Sequence, residues 1–258
     1  NKDNEWEQGK IIKEGYGALL NFLKTECLKN GAEIKLNSKV DKIDFENKIK
    51  ILCHDGAKYE ASGAIVTVAL PTIGSIKFNP AISEKLKIIS RIGFGNVIKI
   101  LMRFDDEWWF NVLDQNLKYL GFLRSDEEVP IWWTQYPDHK PVLTGWLAGP
   151  DALRFKDKQD NEIINSAIRS LSNIFKIEQD SLKKKLIHSR VFNWSADPLT
   201  QGAYSYSAVE TRDAYEECCE PVNGKLYFAG EALCSGNESA TVEGALASGI
   251  EVTKKILI

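Results

Sequence analysis

The stretch Leu226 to Gly249, LYFAGEALCSGNESATVEGALASG, constrains this chain more than any other. Lys225 to Phe228 reads as a strand that stops at Ala229-Gly230. An acidic residue, Glu231, follows, then a loop, then a helix opening at Ser239-Ala240-Thr241 and running to Ile258. Small residues at such a junction let the backbone approach whatever lies at the strand's carboxyl end, and the unpaired N–H groups of the helix start favour negative charge there. Gly244, Ala245, Ala247, Ser248 and Gly249 let the helix pack closely on a flat ligand or a neighbouring strand. The spacing alone leaves two readings open: half of a cofactor site, or a structural strand-loop-helix with a small-residue packing face.

The rest of the chain alternates helical and strand-like segments. Leu19, Leu20, Leu23 and Cys27 fall at helical spacing within Gly17 to Lys29, and Asn30-Gly31 supplies the stop. AEIKLNSKVDKIDF alternates through Ile34, Leu36, Val40 and Ile43; strands over Lys48 to Cys53 and Lys58 to Leu70 follow, joined by the turn pair Asp55-Gly56. GAIVTVAL is apolar on both faces and reads as a buried strand entering a sheet centre, ended by Pro71. Beyond it come a short helix over Glu84 to Ile92, a strand over Asn96 to Phe104, and an aromatic region from Trp108 to Trp146 with strands at Leu117 to Leu123 and Val142 to Leu147. Glu162 to Phe175 carries Ile164, Ala167, Ile168, Leu171 and Phe175 on one helical face, and a shorter helix spans Asp180 to Leu186. Asn193 to Tyr206 reads as irregular.

Composition narrows the function classes. With 258 residues, 43% of them hydrophobic and 27% charged, the chain can bury a real core. Its net charge of −3 and dispersed basic residues exclude nucleic acid as a main partner. No apolar run approaches the roughly 18 residues needed to span a membrane, and the polar, acidic start NKDNEWEQGK is unlike a signal peptide and reads as the middle of a protein. Five cysteines (Cys27, Cys53, Cys218, Cys219, Cys234) and three histidines lack metal-ligand spacing, so no metal is expected and a reducing cytoplasm fits best.

FAGEALCSGNESATVEGALASG is similar to the C-terminal flavin-binding segment of the flavin monoamine and polyamine oxidase family, which reads FAGE, a variable loop, then ATVHGA and SG. The resemblance runs over the whole chain. Gly15-Tyr16-Gly17-Ala18-Leu19-Leu20 resembles the family's glycine-rich helix opening, Leu36-Asn37 with Val40 its LN-x-x-V strand, and Ala64 to Pro71 its VIVTVPL strand. Gly93-Phe94-Gly95-Asn96-Val97-Ile98-Lys99 resembles LGFGxVxK, and Trp194-x-x-Asp197-Pro198 with Gly202-x-Tyr204-Ser205-Tyr206 resembles WxxDPxxxGxYSY. The implied architecture is mixed α/β: a substrate domain with a mixed sheet flanked by helices, plus the C-terminal part of an FAD-binding, Rossmann-like domain. Residues 1–70 and 220–258 are assigned to the FAD side and residues 71–219 to the substrate side.

The family's N-terminal GxGxxG unit has no counterpart here; Gly93-Phe94-Gly95-Asn96 lacks the third glycine and opens a strand. The expectation is a fragment carrying the distal half of the flavin site, binding FAD weakly or not at all by itself.

The resemblance also implies roles. From alternation alone, Lys99 is most simply a solvent-facing strand lysine; the matching family lysine faces flavin N5 and holds a water, which makes Lys99 the catalytic candidate. Tyr204, ten residues beyond Trp194, matches one wall of an aromatic cage beside the flavin, against the alternative of a buried structural tyrosine. Trp194 would pack at the flavin edge, although core packing explains a lone tryptophan equally well. Glu231 would meet the ribityl-diphosphate side of FAD, with Gly230 beside it and Val40 at the adenine end. Thr241 and Val242 would begin the helix facing the ring.

Ala203 stands where animal monoamine oxidases carry the cysteine that tethers flavin, so FAD is expected to be noncovalent. Thr241 stands where they carry a second cage tyrosine, which makes the cage half open and more like that of polyamine oxidases, plant and microbial amine oxidases and the flavin histone demethylases. The Leu233 to Glu238 loop is about one residue longer than in the demethylases. The implied reaction converts an amine to an imine with O₂ reduced to hydrogen peroxide, on a small-molecule amine left unspecified, in an assembly of unspecified size. A module without flavin, a flavin desaturase and an L-amino-acid oxidase remain as alternatives.

Overall fold

The computed structural model describes residues 15–112, 116–233 and 238–257. The N-terminal decapeptide, Cys234 and most of the Leu233 to Glu238 loop lie outside the described residues.

Helix α1 (Tyr16–Lys29) is followed by an antiparallel meander of β1 (Val40–Asp44), β2 (Ile49–Cys53) and β3 (Lys58–Ala61). Gly56, at φ +85°, makes the meander's tight turn, and Asp55 Oδ1 accepts a 3.0 Å bond from the Ala57 amide within it. The chain then leaves this sheet: β4 (Ala64–Val66) pairs instead with a strand near the C-terminus. Strand β5 (Lys77–Asn79) returns parallel to β1, and α2 (Ser83–Ile89) follows.

The middle of the chain builds β6 (Gly93–Gly95), β7 (Val97–Phe104), β8 (Phe122–Arg124), β9 (Ile131–Trp133), β10 (Val142–Ala148), the helices α3 (Pro150–Phe155), α4 (Asp160–Phe175) and α5 (Gln179–Lys185), then β11 (Leu186–Asn193) and β12 (Tyr204–Tyr206). Helix α6 (Thr211–Cys219), β13 (Leu226–Phe228) and α7 (Val242–Leu257) complete the described fold.

Strands β11, β7, β10, β9 and β8 form an antiparallel sheet in that order. Its period-2 alternation sends Ile98, Ile100, Met102 and Phe104 of β7, with Leu143 and Leu147 of β10, into a core filled by Ile163, Ala167, Leu171 and Phe175 of α4. Each such large apolar side chain contributes roughly 1.5–3 kcal/mol on burial. Glu162 anchors the start of α4 by accepting the Gln159 amide at 2.9 Å. The helices α3 and α4 pack on this face of the sheet, and the opposite face carries Lys99 and Trp146.

A second core joins Ile43, Phe45 and Ile49 to Ile73, Ile89 and Ile92, and both groups to Cys218, Leu226 and Phe228. Strand β13 lies parallel to β4 here, with Leu226 opposite Ala64 and Phe228 opposite Val66.

The structure bears out the mixed α/β class and corrects several segments. The strand expected over Lys58 to Leu70 is two strands in two sheets, because beyond Gly63 the chain takes a new partner, the Ala64 amide donating to Lys225 O at 2.9 Å. The apolar run after Gly63 is covered on one side only, with Ile65 and Val68 both 42% exposed. Ile34 and Leu36 lie outside β1, since their alternation meets no partner strand among the described residues. The strand placed at Leu117 to Leu123 is β8, centred three residues later. Strands β9, β11 and β12 and helices α3 and α6 add to the sequence reading. His188, Ser189 and Arg190 interrupt the apolar pattern of β11, whose pairing comes from the full length of β7.

Candidate functional site

The face of the five-stranded sheet opposite its core carries the site. On β7, Val97, Lys99, Leu101 and Arg103 point away from the core. Cross-strand register sets Lys99 between Trp146 of β10 and Phe192 of β11. Trp133 of β9 meets Trp146 edge to face, with ring centres 5.8 Å apart, and Lys99 Nζ stands 5.6 Å from the centre of the Trp133 ring. Trp194, just past β11, stacks on Phe192 at 6.3 Å and 16°.

The chain then folds back. Asp197 organises the turn, its carboxylate accepting the Leu199 amide and its carbonyl the Gln201 amide, both at 2.8 Å. The Gly202 amide donates to Trp194 O at 2.9 Å, and the Ala203 amide to Gly95 O at 2.9 Å. A Cβ on Gly202 would stand 2.5 Å from the Phe94 ring, so this position needs glycine for close approach. These constraints deliver β12 beside β6, with Tyr204 opposite Gly95. The result is a cleft of about 400 Å³ walled by Lys99, Trp133, Trp146, Trp194, Ala203 and Tyr204.

Three of the residues singled out from the sequence, Lys99, Trp194 and Tyr204, therefore share one cleft. Trp133 and Trp146 join them and were not singled out. Alternation along β10 puts Trp146 on the same face as Thr144, and that signal was available once the register with β7 was known.

The remaining candidates gather at the end of β13. Gly230, at φ +150°, has open space where a Cβ would stand, and its amide donates to Ser248 Oγ of α7 at 3.2 Å. Thr241 Oγ1 accepts the Gly244 amide at 3.0 Å and so caps α7; Thr241 is not among the residues walling the cleft. Val242 begins the helix, 37% exposed. Helix α7 buries Gly244, Ser248 and Val252, one turn apart, so small residues form its packing stripe. Both oxygens of Glu231 accept bonds from Ser205, at 3.1 Å from its amide and 2.7 Å from its hydroxyl. Val40 lies in β1, opposite Cys53 and away from the cleft.

Beneath this turn Lys85 is 7% exposed, donates to Glu217 O at 2.7 Å and Glu220 O at 2.6 Å, and lies 5.3 Å from the Phe228 ring. Burial pulls its ammonium below the usual lysine range, partly offset by Cys218, Cys219 and Glu220.

A family model described as flavin containing amine oxidoreductase matches residues 2–257. The chain belongs to that family. Among proteins similar to this chain, polyamine oxidase 5 of Oryza sativa subsp. japonica is 32% identical over 95% of the chain and 49% of its own length. Lysine-specific histone demethylase 2 of Homo sapiens is 29% identical over 95% of the chain and 30% of its own length. Lysine-specific histone demethylase 1 homolog 3 of Arabidopsis thaliana is 27% identical over 96% and 16%. The chain thus spans half or less of the length of these relatives. Among the described residues no helix is long and apolar enough to cross a membrane, and no three His, Cys, Asp or Glu are grouped to hold a metal ion.

Proposed function

We propose that this amine oxidoreductase chain forms the substrate side and the distal flavin side of an enzyme that oxidises the carbon bearing an amine. The observation that carries the proposal is the meeting of Lys99 and Tyr204 in one cleft with Trp133, Trp146 and Trp194. Aromatic faces attract an alkylammonium and fix where its carbon sits. The indole N–H of Trp146 is buried with no partner among the described residues.

The residues present fit the distal half of a flavin site. Gly230 and Gly249 leave open space beside the backbone, and the first turn of α7, at Val242, presents N–H groups to an electron-rich ring. Trp194, 39% exposed, offers a ring edge. Bound noncovalently beside Ala203, FAD would supply the two-electron acceptor that takes the hydride equivalent and passes it to O₂ as hydrogen peroxide.

The chain's own residues do the rest. Tyr204 and the tryptophans orient the amine and exclude water from its reacting carbon. Lys99 holds a water and moves a proton at Nζ. Loss of the C–H hydride and the N–H proton leaves an imine, which water hydrolyses to a carbonyl compound and a free amine. We assign residues 71–219 to the substrate side, and residues 1–70 with 220–258 to the cofactor side.

The relatives' names, polyamine oxidase and lysine-specific demethylase, share an amine on an unbranched alkyl chain, and we infer that class here. Cys27, Cys53 and Cys218 are not joined in disulfides, in keeping with a cytoplasmic setting. The test is a peroxide-release screen of the full-length protein over monoamines, polyamines, N-alkylated lysine peptides and L-amino acids, with absorbance recorded alongside. Alkyl amines should turn over and flavin bands should stand near about 370 and 450 nm. A colourless full-length protein, or turnover of L-amino acids alone, overturns the reading.

A further inference from the structure

One carboxylate joins two parts of the chain that the sequence keeps apart. Ser205 sits in the middle of β12 and is 1% exposed, while its neighbours Tyr204 and Tyr206 project to the opposite face. Glu231, in the turn after β13, accepts the Ser205 amide on Oε1 at 3.1 Å and the Ser205 hydroxyl on Oε2 at 2.7 Å. A planar carboxylate that takes both donors of one residue fixes the position and the twist of that residue together. Such charge-assisted bonds are roughly twice as strong as neutral ones.

The other edge of β12 is held independently. Tyr204 pairs with Gly95, Ser205 with Phe94 and Tyr206 with Gly93 on β6, and β6 runs directly into β7, which carries Lys99. The ladder to β6 therefore places Tyr204 relative to Lys99. The bonds to Glu231 place it relative to the turn between β13 and α7.

We propose that Glu231 is a positioning residue for the amine site, holding β12 through Ser205 and so setting Tyr204 in the cleft relative to the cofactor-side turn. This rests on the reading of the cleft as the amine site. In consequence the geometry of the Gly230 to Leu233 turn is transmitted to the tyrosine wall, although Glu231 itself does not wall the cleft. One lone pair on each carboxylate oxygen stays free for a further donor, so the role is compatible with a contact to FAD.

The test uses the full-length, flavin-loaded protein and three variants. Ser205→Ala removes the hydroxyl, Glu231→Gln keeps the shape and one acceptor, and Glu231→Ala removes both acceptors. Ser205→Ala should raise the KM for an alkyl amine roughly tenfold, the scale of one hydrogen bond to a charged group. Its kcat and flavin absorbance per protein should stay within about twofold of wild type, and Glu231→Gln should lie between wild type and Glu231→Ala. A merely structural contact would instead lower flavin content and thermal stability and leave the KM of the loaded fraction unchanged.

A second readout needs no turnover. Amide exchange in peptides covering residues 203–206 should speed at least tenfold in Glu231→Ala, with peptides from β7 and α4 unchanged; should that variant not fold, Glu231→Gln, which keeps one acceptor, carries the same comparison with a smaller acceleration. Wild-type KM in Ser205→Ala, or exchange that is unchanged or raised throughout the chain, overturns the proposal. If the wild-type protein makes no peroxide from any amine, the functional reading fails and local exchange alone decides whether Glu231 holds β12. If wild type turns over and the variants match it, only the positioning role fails.

Discussion

Lys99 Nζ lies 5.6 Å from the centre of the Trp133 ring, on the face of the five-stranded sheet opposite the core that α4 fills. The contact belongs to an exposed lysine, so it contributes little to folding. Lys99→Met should leave thermal stability within about 0.5 kcal/mol and the flavin spectrum intact. Turnover should fall on the order of 10²-fold, the scale of losing a positioned proton-transfer group. Anaerobic reduction and aerobic reoxidation followed by stopped flow separate the affected half-reaction. Unchanged rates in both would make Lys99 structural.

Tyr204 is 37% exposed and contributes a ring to the cleft wall. Tyr204→Phe keeps that ring and should keep KM within about twofold, whereas Tyr204→Ala should raise it roughly thirtyfold, the worth of about 2 kcal/mol for a cation–π face desolvated beneath the bound amine. Steady-state kinetics on one alkyl amine check the order. A loss in Tyr204→Phe as large as in Tyr204→Ala would assign the work to the hydroxyl.

Two glycines at the β6/β12 contact should respond differently. A Cβ on Gly202 would stand 2.5 Å from the Phe94 ring and 3.0 Å from the Gly95 carbonyl, whose backbone belongs to the ladder. A Cβ on Gly93 would stand 2.4 Å from the Tyr206 ring, but Tyr206 is 56% exposed and its ring can swing into solvent. Thermal melts should therefore show Gly202→Ala destabilised by about 1–3 kcal/mol, the usual range for overpacking, and Gly93→Ala by less.

Burial pushes the Cys218 thiol up to about 11, against the ordinary value of 9.0, partly opposed by Lys85. A raised folded pKa means that burial stabilises the neutral thiol. This contribution is fully present below pH 9 and is lost as pH rises through 11. Iodoacetamide at pH 8 should label the exposed Cys27 well before Cys218, read peptide by peptide in a mass spectrometer. Equal rates would contradict the burial.

Lys85→Met should cost about 1–3 kcal/mol, because the carbonyls of Glu217 and Glu220 would each lose a buried donor. Chemical denaturation measures the loss. A variant as stable as wild type would show that solvent reaches both carbonyls.

The sequence carried the local elements wherever a pattern and its stop signals coincided. The periodicity of α4, the alternation of β7 and the Asp55-Gly56 turn are each set by neighbours a few residues away, and each is found where expected. Residues whose structure depends on a distant partner were not legible. The polar strand β11 exists because β7 offers it a full ladder, and the long apolar stretch after Lys58 divides because Ala64 finds Lys225. The aromatic stretch Trp108 to Trp146 could not be sorted by sequence, since Trp109 and Trp132 fill the core while Trp133 and Trp146 line the cleft.

By itself, then, the sequence determined the class of fold, those elements whose pattern and stop signals coincide, and the motifs that mark the family, because motifs and periodicities are short-range properties of the chain. Which of those residues meet was decided by tertiary structure. Cross-strand register brought Lys99 to Trp133 and Trp146, close glycine packing brought Tyr204 to the same cleft, and the segment after β13 reached that cleft through Glu231 and Ser205. Register and packing join residues far apart in the chain, and no local pattern encodes that distance.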